Sequence, residues 1–295
     1  MGLNTENGTA AIVCGCDTVA GVEEIVTDTL AYAAFGEGER HFVIIPGISD
    51  GLRTVDGLAL PLAVMYRRFA KHFRVHVFSR RTHLPAVYDI RSMADDTAAA
   101  MEVLGIEKAD VLGVSQGGMI AEELTLNHPE RVSKLILAVT LARPNPTTRE
   151  VIGRWISMAE AGDYIGLMAD TAEKSYTVAR LAKYKAVYEL AARLGQKNAG
   201  NLERFVTEAN ACLRHDAYDR LPAIQAPTLV LGGTDDRIVT AEASREIAAQ
   251  IPGALIHMFE GYGHGLFEEA PDFQEWIEDF LLAGQPGPLS DTEKG

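Results

Sequence analysis

Short apolar runs alternate with stretches whose apolar residues recur at helical spacing, and this alternation limits the fold more than any other feature of the chain. The runs are His41–Pro46, Arg74–Ser79, Asp110–Ser115, Lys134–Thr140, Thr228–Gly232 and Ala254–Glu260. Helical patterns fall at about Ala59–His72, Ser92–Leu104, Gly117–Asn127, Ala241–Gln250 and Asp272–Leu282. Parallel strands need a long crossover between them, and an amphipathic helix supplies it. The pattern therefore predicts an α/β layered fold around a mostly parallel sheet. Two weaker strands, near Ala10–Cys16 and Asp28–Ala34, bring the expected count to eight. Ser92 is the expected N-cap of the second helix, and Pro129 ends the third.

The alternation breaks between residues 141 and 222. Pro144-Asn145-Pro146 opens this stretch, and Pro222 and Pro227 lie at its close. Inside it, Leu202, Phe205, Val206, Ala209, Cys212 and Leu213 recur at helical spacing, as do Leu181, Tyr184, Tyr188 and Ala191. One crossover does not need about 80 residues. The expected organisation is a core from residues 1–140 and 223–295, with a helical cap over 141–222 inserted between core strands. Charge divides the same way: the cap carries +2 and the rest −16. Ala283–Gly295 is polar and expected to fray.

The net charge of −14 opposes binding to nucleic-acid phosphates or an anionic membrane, and no basic stripe interrupts it. No apolar run reaches the ~18 residues of a membrane span. The N-terminus lacks the basic stretch of a signal peptide, and Glu6 breaks the myristoylation pattern. Cys14, Cys16 and Cys212 are too few for a disulfide framework and suit a reducing cytoplasm. Cys14-x-Cys16 has no second pair, so two small buried residues are expected rather than a metal site.

The chemistry concentrates at Gly113-Val114-Ser115-Gln116-Gly117, a G-x-S-x-G sequence where a strand pattern ends and a helical one begins. A sharp strand-to-helix turn projects the serine hydroxyl from the backbone, and flanking glycines let strand and helix approach. The unpaired N–H groups at the helix start face any oxyanion that develops beside the serine.

The chain at this point resembles the α/β-hydrolase family over nearly its whole length. Gly233-Thr234-Asp235-Asp236-Arg237-Ile238-Val239 resembles that family's acid loop, and Gly261-Tyr262-Gly263-His264-Gly265 its histidine loop. The resemblance implies a triad of Ser115, Asp236 and His264. Asp236 is preferred to Asp235 by its spacing from Gly233, and Leu141–Arg149 offers no carboxylate for the alternative acid position. A base that titrates near neutrality and a carboxylate that fixes its tautomer fit those roles. His257 lies within a strand pattern and reads as packed or at an edge. The oxyanion hole implied by the resemblance uses the N–H groups of Gln116 and Ile48. Pro46-Gly47-Ile48 replaces the usual His-Gly-x, with Ser49 and Asp50 following at the mouth or in a turn. Ser79-Arg80-Arg81-Thr82-His83 departs from the family pattern by losing its glycines. Arg80 or Arg81 either meets a substrate carboxylate or forms a structural ion pair.

Together these features imply a serine hydrolase that cleaves a small carboxylic ester, lactone or related acyl compound through an acyl-enzyme. No metal or organic cofactor is implied, and the only expected partner is the small acyl substrate. Carbon–carbon bond hydrolases and perhydrolases would use the same three residues. A small-molecule receptor on the same fold is the alternative from another class. Some of the cap aromatics Trp155, Tyr164, Tyr176, Tyr184, Tyr188, Phe205 and Tyr218, with Met158 or Met168, are expected to line an apolar acyl pocket.

Overall fold

A computed structural model describes residues 10–16, 19–26, 30–85, 87–198 and 202–283. All six strong apolar runs are strands: β4 (Arg40–Ile45), β5 (Phe73–Arg81), β6 (Ala109–Val114), β7 (Val132–Ala138), β8 (Thr228–Gly233) and β9 (Leu255–Phe259). Each of the six pairs in parallel with its neighbours among these strands. β1 (Ala10–Cys16), β2 (Val19–Val26) and β3 (Leu30–Phe35) add an antiparallel edge through β3 and β5. The sheet thus has nine strands, in the order β1-β2-β3-β5-β4-β6-β7-β8-β9, one more than the eight expected. The extra strand is β2, whose apolar run is interrupted by Glu23 and Glu24. The environment expected for Cys14 and Cys16 concerns side chains outside the described residues, as does nearly all of the expected frayed tail.

Helices cover both faces. α2 (Ile90–Val103), α3 (Gln116–Asn127) and α8 (Ala241–Gln250) bury Met93, Met101, Ile120, Leu124 and Ile247 against one side. α1 (Ala59–Met65) and α10 (Phe273–Leu282) bury Ala63, Phe273 and Ile277 against the other. α2 begins at Ile90, and its N-cap is Asp89 rather than Ser92. The Asp89 carboxylate accepts the Ser92 N–H at 2.8 Å, so Ser92 lies inside the first turn. α1 is also shorter than its apolar pattern and gives way to a one-turn 3-10 segment at Phe69–Lys71.

Between β7 and β8 the chain forms α4 (Pro146–Glu160), α5 (Tyr164–Ser175), α6 (Val178–Asn198) and α7 (Glu203–Arg214). Asn145 caps α4 by accepting the Thr148 N–H at 2.9 Å, and Pro146 occupies the first turn, where its missing donor costs nothing. Val151, Ile152, Trp155, Leu167, Phe205 and Ala209 join the apolar cluster that α2, α3 and α8 form against the sheet. The insertion and that face of the sheet therefore share one core. No described helix is long and apolar enough to cross a membrane.

Within the parallel strands, β4 has β5 on one side and β6 on the other. The crossovers leave in opposite directions at this point, which opens a crevice beyond the carboxyl ends of β4 and β6. Both the Pro46-Gly47-Ile48 loop and Ser115 lie at that opening.

Candidate active site

Ser115 is held at φ 55°, ψ −119° between the last residue of β6 and the first of α3. A non-glycine residue in the left-handed region is strained, and three bonds hold this one there. The Ser115 N–H donates to Ala138 at 2.9 Å, while its carbonyl accepts from Gly118 N–H at 2.8 Å and from Thr140 Oγ1 at 2.7 Å. Gly117 is required by close approach: a Cβ there would overlap the Ile45 carbonyl of β4. The strain turns the Ser115 hydroxyl out of the sheet.

His264 follows β9 and reaches Ser115 Oγ with Nε2 at 2.9 Å. Its Nδ1 lies 2.8 Å from Asp236 Oδ2. The other Asp236 oxygen accepts the Ile238 and Val239 N–H groups at 2.8 and 3.0 Å. Burial by itself would raise the Asp236 pKa. The His264 ring and the two N–H donors outweigh it and hold the carboxyl below its usual range. An ionised Asp236 accepts the Nδ1 proton, which leaves Nε2 free to accept the serine proton. Asp235 is exposed, and its carboxylate accepts the neighbouring Thr234 hydroxyl at 3.2 Å. The preference for Asp236 thus falls on the acid that meets His264. His257 instead packs its ring on Trp276, with centroids 3.9 Å apart.

Ile48 opens a 3-10 turn over Ile48–Gly51, and Gln116 opens α3. The first N–H groups of such turns have no partner within the helix. Gly47 lies against Ser115: a Cβ on it would sit 3.3 Å from the Ser115 Cβ.

Ser115 and His264 open into a cavity of about 750 Å³. Its walls are mostly apolar, and much of them comes from the insertion, including Trp155, Met168, Tyr176, Tyr188 and Phe205. Of the candidates from which some were expected there, Tyr164, Tyr184, Tyr218 and Met158 do not line it. Arg80 and Arg81 do not line it either. Arg81 pairs with Asp96, and Arg80 is 3% exposed behind the Pro46–Gly47 loop. Ser49 faces the cavity, whereas Asp50 is buried and paired with Arg204 of α7. The roles of Arg204 and Glu208 were not legible in the sequence, because Asp50 and Arg80, which they meet, lie more than 100 residues away in the chain. Among the described residues, no group of three His, Cys, Asp or Glu side chains could hold a metal ion.

The family defined by the alpha/beta hydrolase fold matches residues 40–271. The chain belongs to that family. An alpha/beta hydrolase relative named "Putative carbamate hydrolase RutD", from Caulobacter sp. (strain K31), is 30% identical over 204 residues, covering 66% of this chain and 73% of its own length. The 2-hydroxymuconate semialdehyde hydrolase of Pseudomonas putida is 28% identical over 200 residues, covering 66% of this chain and 69% of its own. Among solved alpha/beta hydrolase structures, the enol-lactonase of Burkholderia xenovorans LB400 superposes with a TM-score of 0.74 at 24% identity. That superposition covers 90% of this chain and 99% of the lactonase, and it supports the fold alone. Est816, described as degrading N-acyl homoserine lactones, superposes with a TM-score of 0.68 at 27% identity over 87% of this chain and 99% of its own. The chain is thus a hydrolase-family enzyme.

Proposed function

We propose that the protein is a serine hydrolase that cleaves an ester, lactone or related acyl bond of a small, largely apolar substrate. The observation that carries this reading is the run of hydrogen bonds from Asp236 through His264 to Ser115 at the floor of the cavity. Ser115 Oγ attacks the acyl carbon while its proton passes to His264 Nε2. The Ile48 and Gln116 N–H groups hold the oxyanion. Collapse expels the leaving group, which takes the proton back from His264, and water activated by the same ring releases the acid. Residues 141–222 act as a cap whose apolar side chains select the acyl group. Two relatives, one named for carbamate hydrolysis and one for N-acyl homoserine lactone degradation, support an acyl–heteroatom bond as the target.

The test compares wild type with Ser115→Ala on short-chain nitrophenyl esters, lactones, thioesters and carbamates. The expected result is wild-type turnover with an initial burst and a loss of at least about 10³-fold in the variant. Ligand-dependent rises in melting temperature without turnover would replace the hydrolase with a receptor.

A further inference from the structure

Behind the proposed oxyanion hole, the turn after β4, β5 and α7 bring four charged side chains together. Arg80 and Glu208 are buried, as is Asp50, and Arg204 closes the cluster from the insertion. The Asp50 carboxylate accepts the Arg80 N–H at 3.0 Å and pairs with Arg204. Glu208 lies 3.3 Å from Arg204 and 3.9 Å from Arg80. Two guanidinium groups thus face two carboxyl groups; burial pushes the Glu208 carboxyl above its usual range, and the Arg80 and Arg204 charges oppose that rise.

What distinguishes Arg80 is where its Nη2 points. That nitrogen donates to the Pro46 carbonyl, to the Gly47 carbonyl at 3.2 Å, and to the Gln116 side-chain carbonyl at 2.7 Å. The Gly47 carbonyl and the Ile48 N–H belong to one peptide group. In a trans peptide these two bonds point in opposite directions, and no described peptide is cis. Drawing the carbonyl toward Arg80 therefore turns the N–H away from Arg80. Gly47 has no side chain to resist rotation of this peptide, and among the described residues the other donor to its carbonyl is the Asp50 N–H at 3.2 Å. The same guanidinium grips Gln116, whose backbone supplies the second donor. Gln116 Nε2 in turn donates to the Glu208 carbonyl of α7 at 2.9 Å, which ties both halves of the hole to the insertion.

We propose that Arg80 is a positioning residue for the oxyanion hole: it holds the Gly47–Ile48 peptide with its N–H toward Ser115 and links that peptide to Gln116. This rests on the hydrolase reading above. Arg80 is buried and does not line the cavity, so its loss should weaken the transition state and spare ground-state binding.

Two readouts separate this role from general stability. One is the division between kcat and KM on a nitrophenyl ester. The other is the Ki of an aliphatic trifluoromethyl ketone. Ser115 Oγ adds to its carbonyl carbon, the serine proton passes to His264, and the carbonyl electrons become an oxyanion in the hole. Arg80→Met leaves Asp50 and Glu208 undercompensated, so Arg80→Met/Glu208→Gln, read against Glu208→Gln, keeps the charge balanced. We expect kcat to fall about 10²-fold with KM within threefold, the scale of losing one oxyanion donor. Ketone Ki should rise by a similar factor, and Arg80→Lys should recover at least a tenth of the activity. A folded double variant whose kcat stays within threefold of its reference overturns the proposal. So does a fall in kcat with unchanged ketone affinity. If wild-type Ser115 neither adds the ketone nor turns over ester, the hydrolase reading fails as well. If wild type does both and Arg80 has no effect, this inference alone fails.

Discussion

Two adjacent carboxylates differ in everything that decides their chemistry. Asp236 is buried between His264 and two backbone N–H donors, while Asp235 faces solvent. Asp236→Asn replaces the acceptor of the Nδ1 proton by an amide, which favours the wrong tautomer and leaves the developing imidazolium uncompensated. By analogy with serine proteases, kcat should fall by up to ~10⁴-fold. Asp235→Asn should cost less than about tenfold, because it changes one exposed contact. Measuring kcat for both on one ester, with circular dichroism to confirm folding, checks the assignment; a reversed order of the two losses would move the acid to Asp235.

At the scale of elements, the insertion sets the shape of the cavity. Met168 of α5 lines it without joining the shared core. Met168→Trp should therefore shorten the preferred acyl chain across a nitrophenyl ester series while leaving Ser115 reactivity toward a small phosphonylating probe within about threefold. An unchanged chain-length profile would remove α5 from the specificity wall. The elements that carry the site were legible because strand, turn and helix each leave a local pattern, apolar runs for β6 and β9 and Gly113 and Gly117 around Ser115, while Asp236 and His264 were legible through the resemblance of their loops to those of the α/β-hydrolase family. β2 was not legible, since Glu23 and Glu24 break its run and only pairing with β1 and β3 makes it a strand. The cap aromatics were legible as a set but not singly. Helical spacing cannot say which face of α5 or α6 meets the cavity, and Tyr188 lines it while Tyr184 does not. The environment of Arg80 was equally hidden, because the carboxylates that compensate it come from a turn after β4 and from α7.

For the whole molecule, the triad links stability to pH. The Asp236 pKa is lower in the folded chain than the roughly 3.9 of an unfolded aspartate. A depressed carboxyl contributes stability that is complete above the unfolded value and is lost as pH falls through the folded one. Wild type should therefore lose more melting temperature than Asp236→Asn between about pH 5 and pH 2, and the two curves should converge in acid. Parallel curves over that range would mean that Asp236 is not held ionised by its surroundings.

The proposed hydrolysis requires Ser115 to be a nucleophile that Asp236 and His264 activate. The most direct measurement is reaction of the folded chain with a fluorophosphonate, followed by intact mass and peptide mapping. One adduct on Ser115, and none on Ser115→Ala, is the predicted result. Folded protein that stays unlabelled, or a label on another serine, would contradict it.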